Sequence, residues 1–163
     1  MLRARMLWKL NSIMEMEIKS SRIDDEEGLT AFRSLLKTVG LPHEDLSLKG
    51  HILLGYFDDE KLIGTGALEI YGKFALLRSL AVNDALRGRS LGSRITDDLI
   101  KQARKNDIKR IYLLTESARL FFRRKGFKDV ARENVPNEVR SSSEFSEICS
   151  DTAVCMEYSF SNI

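Results

Sequence analysis

Arg87-Gly88-Arg89-Ser90-Leu91-Gly92-Ser93 packs two cations, two glycines and two serines into seven positions. It opens a run in which Leu91, Ile95, Leu99 and Ala103 recur every four residues, the period of one helix face. A helix beginning there presents unpaired backbone N–H groups and the positive end of its dipole. Small residues let an anion reach those groups, so the chemistry is that of holding a pyrophosphate. The pattern is not Gly-x-Gly-x-x-Gly with an acidic residue about 20 positions on, and no Lys-Ser/Thr follows it. Just upstream, Arg78 interrupts the apolar run Phe74 to Val82. A buried arginine needs an anion. That anion is either a substrate carboxylate held by both arms of the guanidinium, or Glu69 or Glu116 of the chain itself.

Other side chains carry two readings each. Glu69, on the strand beside Arg78, and Glu116, just past an apolar strand, are candidate bases for deprotonating an amine or are solvated charges. Thr115 either bonds substrate or caps the helix that follows. Ser79 faces away from Arg78 unless a bulge intervenes. Arg123, Arg124 and Lys125 meet a phosphate or form a solvated basic face. Cys149 and Cys155 lack zinc spacing, and histidine occurs only at 43 and 51, so no metal constellation is expected. Without an adjacent histidine the thiols read as buried small hydrophobes rather than acyl carriers.

The elements that position these residues follow from pattern. A weak strand spans residues 15–20, and acidic Asp24 to Glu27 start a helix that Gly40 and Pro42 end near Val39. Segments 51–57, 62–71 and 74–82 read as a three-stranded antiparallel meander. A helix from Ser90 to Lys105 leads to a buried parallel strand at Ile111 to Leu114, making a βαβ crossover. A short helix closes at Gly126, a late strand follows Phe127, and a last strand lies within 152–160. Residues 15–163 are expected to form a single α/β domain. Residues 1–14 read as an N-terminal extension, disordered or not native to the domain. A net charge of +2 gives no bulk electrostatic case for nucleic acid or a membrane surface. No apolar run is long enough to span a bilayer, and a reduced cytoplasmic protein is the expectation.

Two motifs together resemble the GNAT N-acetyltransferase superfamily. Arg87, Gly88 and Gly92 fit its Arg/Gln-x-x-Gly-x-Gly/Ala acyl-coenzyme A loop, with Ser90 where the pattern prefers glycine. Ala118 to Phe127 resembles its Tyr-x-x-x-Gly-Phe signature, with Phe122 in the tyrosine position. Leu-Leu-Arg-Ser-Leu-Ala-Val, Gly40-Leu-Pro-x-x-Asp45-Leu and Glu144-Phe-x-x-Ile-Cys are similar to the arsenic-resistance amino-acid N-acetyltransferases. The resemblance implies a GNAT fold: a mixed, mostly antiparallel sheet with a central βαβ crossover and helices on both faces. It implies acetyl-coenzyme A as co-substrate, without metal. Arg87 to Ser93, with Leu91 among them, would hold the pyrophosphate. Leu80, Ala81 and Val82 would hold the pantetheine, with the Leu80 N–H facing the thioester oxygen. Phe121 and Arg124 would line the coenzyme. Arg78, Ser79 and Thr115 would contact a small-molecule amine such as a glutamate analogue. Phe122 has no proton for a departing thiolate. The resemblance also suggests a homodimer. A non-catalytic acyl-coenzyme A sensor and a protein N-acetyltransferase are the alternatives.

Overall fold

Apolar segments separated by tight polar turns build a meander. The computed structural model describes residues 17–83, 90–148 and 152–161. The expected extension (1–14), Arg87, Gly88, Arg89 and Cys149 lie outside them. Strand β1 (Ile18–Arg22) pairs antiparallel with β2 (His51–Asp58), β2 with β3 (Lys61–Tyr71), and β3 with β4 (Phe74–Val82). Between β1 and β2 runs helix α1 (Glu26–Thr38). The Asp25 carboxylate accepts a hydrogen bond from the Gly28 N–H at 2.7 Å, and Glu26 and Glu27 complement the dipole.

From β4 the chain crosses through α2 (Leu91–Lys105) to β5 (Arg110–Thr115), which lies parallel to β4. Helix α3 (Arg119–Arg124) and the two-residue β6 (Lys128–Asp129) follow. The stretch before the last strand, without regular structure in the sequence pattern, contains a 3₁₀ turn (Arg132–Asn134), the short helix α4 (Asn137–Arg140) and a π turn (Glu144–Ile148). Strand β7 (Val154–Ser159) then inserts between β5 and β6, giving the sheet order β1-β2-β3-β4-β5-β7-β6.

Helix α2 covers one face of the sheet. Its Leu91, Ile95, Leu99 and Ala103 pack on Leu68, Ala75 and Leu77. A Cβ at Gly66 would lie 2.5 Å from Ile95 and 2.8 Å from Leu99, so only glycine lets α2 seat this closely. On the other face α1 packs Leu29, Phe32 and Leu36 against Leu53, Ala67 and Ala81. Farther along that face, Val135 and Val139 pack against Leu76, Tyr112 and Cys155. Ala81 thus belongs to one apolar cluster and Leu76 to the other. Arg78 falls between them.

Two irregularities shape the middle of the sheet. Strands β4 and β5 pair only at Phe74 with Arg110, Ala75 with Ile111 and Leu76 with Tyr112. Beyond Leu76 they diverge into a fork: β4 runs on to Val82 along β3, while β5 follows β7 to Thr115. Opposite β3, Thr65 pairs with Ala81 and Ala67 with Arg78, so Ser79 and Leu80 together oppose Gly66. This is a β-bulge on β4, and Ser79 takes a left-handed φ of 59° within it.

Candidate active site

The fork and its bulge bring Arg78, Ser79 and Glu69 together on one side, while Leu80 and Val82 pack toward the α2 side; Thr115, Glu116, Phe121 and Arg124 lie apart from them on β5 and α3. On the α2 face, Leu80 and Val82 lie partly buried against the main core. Ala81 and Leu91 are 5% and 4% exposed, so their side chains belong to the packing and only their backbone is left for a ligand. Ser90 precedes α2 at φ 64° and makes no side-chain cap. The position the family pattern gives to glycine is therefore left-handed, the region in which a Cβ is strained. The space over Gly92 is open: a Cβ there would meet nothing within 4 Å. Among the described residues nothing caps the α2 N-terminus or fills the space above Gly92, a setting that fits an anionic ligand. Ser93 lies on the same first turn of α2.

The α3 residues divide. Phe122 is buried, in ring contact with Phe121 at 5.0 Å and Phe127 at 5.6 Å. Phe121 is half-buried against the main core and Arg124 is exposed. Lys125 pairs with Asp97 at 2.9 Å, and Arg123 with Asp129 at 3.3 Å. At the end of β5, the Thr115 hydroxyl accepts the Ala118 N–H at 3.0 Å, the capping reading of that residue. Glu116, next along, is exposed.

On the opposite face Arg78 anchors a buried charge cluster. Its side chain is fully buried. Nη1 and Nη2 donate to the two Asp45 carboxylate oxygens at 2.5 and 2.8 Å, and Nη1 also donates to Glu69 at 2.8 Å. Nε lies 3.5 Å from the Glu144 carboxylate. The intramolecular pairing with Glu69 is therefore present, with two further carboxylates added. Asp45 comes from the loop after α1 and Glu144 from the π turn, far from Arg78 in sequence. Glu69 also accepts from Tyr71 and pairs with His51, its register partner on β2, at 3.1 Å. Among the described residues, Arg78 Nε and Ser79 Oγ are buried without a hydrogen-bond partner.

The carboxyls of this cluster differ in acidity. Burial alone would raise Glu69, but hydrogen bonds from His51, Tyr71 and Arg78 outweigh it and hold the group at about 2. The bidentate bond from Arg78 lowers Asp45 below the usual carboxylate range. Glu144 goes the other way. Burial pushes it up to about 7, against the pull of Arg78 and with the push of Glu69 and Asp45. A cleft of about 730 Å³ opens beside the cluster, bounded by Lys37, Leu41, Pro42, His43, Asp45 and Ser143.

Sequence reasoning brought out Arg78, Ser79 and Glu69 but not Asp45, His51, Tyr71 or Glu144 as members of one site. Asp45 and Glu144 stood in resemblance motifs, yet nothing in their spacing joins them to a strand arginine. Cys155 is a free buried thiol, pushed up to about 11 by burial, which suits packing rather than nucleophilic chemistry. Among the described residues, no group of three or more His, Cys, Asp or Glu is placed to hold a metal ion, and no helix is long and apolar enough to cross a membrane.

Known proteins share this fold. An amino-acid acetyltransferase of Mycobacterium tuberculosis is 33% identical over 90 residues, which are 55% of this chain and 48% of that protein. The fold matches N-acetylglutamate synthase from Neisseria gonorrhoeae, complexed with coenzyme A and N-acetyl-glutamate, with TM-score 0.71 at 19% identity over 91% of this chain and 36% of that one. It also matches a Mycobacterium tuberculosis protein in complex with coenzyme A, with TM-score 0.72 at 21% identity over 87% of this chain and 99% of that one. The chain thus spans about half or less of the two named amino-acid-acetylating relatives. Residues 12–127 match the sequence pattern of the Acetyltransferase (GNAT) family, and the chain belongs to that family.

Proposed function

We propose that the chain transfers acetyl from acetyl-coenzyme A directly to the amine of a small amino-acid-like acceptor. Glutamate analogues such as arsinothricin and phosphinothricin, the substrates of the arsenic-resistance members, are the acceptor class. The observation that carries the reading is the fork of β4 and β5 with a buried arginine at its apex. The acyl donor enters from the α2 face, its pyrophosphate at Ser90 to Ser93 and Arg87 to Arg89. Its pantetheine lies along Leu80 to Val82 as an added strand. The Leu80 N–H stabilises the negative charge that grows on the thioester oxygen. The acceptor enters from the opposite face, through the cleft that Asp45 lines.

Arg78 orients the acceptor by its α-carboxylate. Asp45 is the bidentate partner of Arg78, so the incoming carboxylate exchanges with it. Arg78→Lys keeps the charge and loses the fork geometry. It is expected to raise the acceptor KM by about 10-fold or more, the worth of one bidentate pair, with the acetyl-coenzyme A KM unchanged. An unchanged acceptor KM would remove Arg78 from this role. Ser90 and Phe122 favour a second reading, an acyl-coenzyme A-binding sensor. Binding of acetyl-coenzyme A without turnover of any amine would establish that one.

A further inference from the structure

We infer that Glu144 is the base that receives the proton of the acceptor ammonium. This rests on the acetyl-transfer reading above. The π turn Glu144–Ile148 carries the Glu144 carboxylate to 3.5 Å from Arg78 Nε, where β4 leaves β5. Nε there donates to no described group, and neither does the adjacent Ser79 hydroxyl. At the apex of the fork the Glu144 carboxylate thus has no hydrogen bond from Arg78 Nε and keeps acceptor capacity, and the Ser79 hydroxyl beside it is likewise without a partner among the described residues.

Charge points to the kind of ligand. One guanidinium faces three carboxylates, from Asp45 on the loop after α1, Glu69 on β3 and Glu144 on the π turn. Its two Nη groups are spent on Asp45 and Glu69, and Glu69 has His51 from β2 and Tyr71 as further donors. Glu144 has only the longer contact to Nε among the ion pairs of the described residues. An alkylammonium supplies the cation this corner lacks. Asp45 and Ser143, the neighbour of Glu144, both line the cleft, which is the approach the acceptor would take.

Glu69 is the weaker base for the task, because its three donors hold it at about 2. Glu144, raised to about 7, both accepts and releases a proton near neutral pH. The ammonium gives one proton to the Glu144 carboxylate, and the freed nitrogen lone pair attacks the thioester carbon. The C–N bond forms, the C–S bond breaks, and the second nitrogen proton leaves through water to the thiolate, which becomes coenzyme A thiol. Glu144 returns its proton to solvent through the cleft, so each turnover releases one proton.

The test is the pH profile of kcat/KM for wild type, Glu144→Gln and Glu144→Asp. The amine is whichever turns over among glutamate, phosphinothricin and simple polyamines, and acetyl-coenzyme A binding is measured calorimetrically alongside. Glu144→Gln is expected to bind acetyl-coenzyme A as wild type does and to lose about 100-fold or more in kcat/KM at pH 7. Its activity should climb tenfold per pH unit towards the pKa of the amine itself, and Glu144→Asp should recover part of the loss. A Glu144→Gln profile superimposed on that of wild type would overturn the assignment. Wild-type turnover confined to amines without a carboxylate would instead overturn the amino-acid reading, with the Glu144 comparison still decisive on those amines.

Discussion

Ser90 carries a cost that its place in the sequence hides. Its left-handed φ of 64° strains any residue with a Cβ, by about 1 kcal/mol. Ser90→Gly is therefore expected to stabilise the fold by about 1 kcal/mol and to tighten acetyl-coenzyme A binding, as thermal unfolding and calorimetry would read. A weaker complex in the glycine variant would show that the serine side chain itself touches the ligand. Arg78 is the opposite case. Removing it as Arg78→Ala leaves the half-buried Asp45 and Glu69 without their cation, at a cost of about 3 kcal/mol, the low end for a broken buried pair. Urea denaturation would show a loss near zero if the cluster were solvated instead. Phe122 sits in the aromatic stack with Phe121 and Phe127. If the thiolate takes its proton from water, Phe122→Tyr should turn over as wild type does, and a large rate gain would show that a missing acid limits this chain.

Packing between elements explains which parts of the sequence were readable. The meander, α2 and β5 follow from apolar periodicity, and the structure forms them within a residue or two of the expected bounds. Gly64 and Gly66 fall within the strand expected at 62–71, and the reason for glycine there lies in α2, which sits against them. Gly66→Ala should force Ile95 and Leu99 away and cost about 1–3 kcal/mol in thermal unfolding, an overpacking penalty. Arg78 stood out because a charge within an apolar strand must be answered. Its answers, Asp45 and Glu144, come from segments 33 and 66 positions away in the sequence. Local pattern carries no information about pairs so distant. The bulge at Ser79 was likewise a conditional reading, because one extra residue on β4 shows only when β3 is laid beside it.

The charge cluster also sets how the whole molecule responds to pH. Glu69 has a folded-state pKa below its ordinary value of 4.5, so its contribution is present above that value and is lost as pH falls towards about 2. Glu144 has the reverse sign. Its folded-state pKa of about 7 means the folded chain holds a proton that the unfolded chain releases between about 4.5 and 7. Stability from Glu144 therefore declines as pH rises through that window, by up to about 3 kcal/mol. Glu144→Gln should flatten the denaturation profile between pH 5 and 8 (roughly the span of the shift) and exceed wild type in stability at the upper end. An unaltered profile would mean that Glu144 is solvated. The proposed function rests on the fork that joins the two faces, with the acyl donor assigned to one side and the amine to the other. The most direct measurement is coenzyme A release from acetyl-coenzyme A with a panel of glutamate, phosphinothricin, arsinothricin, other amino acids and simple polyamines. Turnover confined to glutamate-like amines is the predicted result. Release of coenzyme A with none of these amines, despite acetyl-coenzyme A binding, would contradict it.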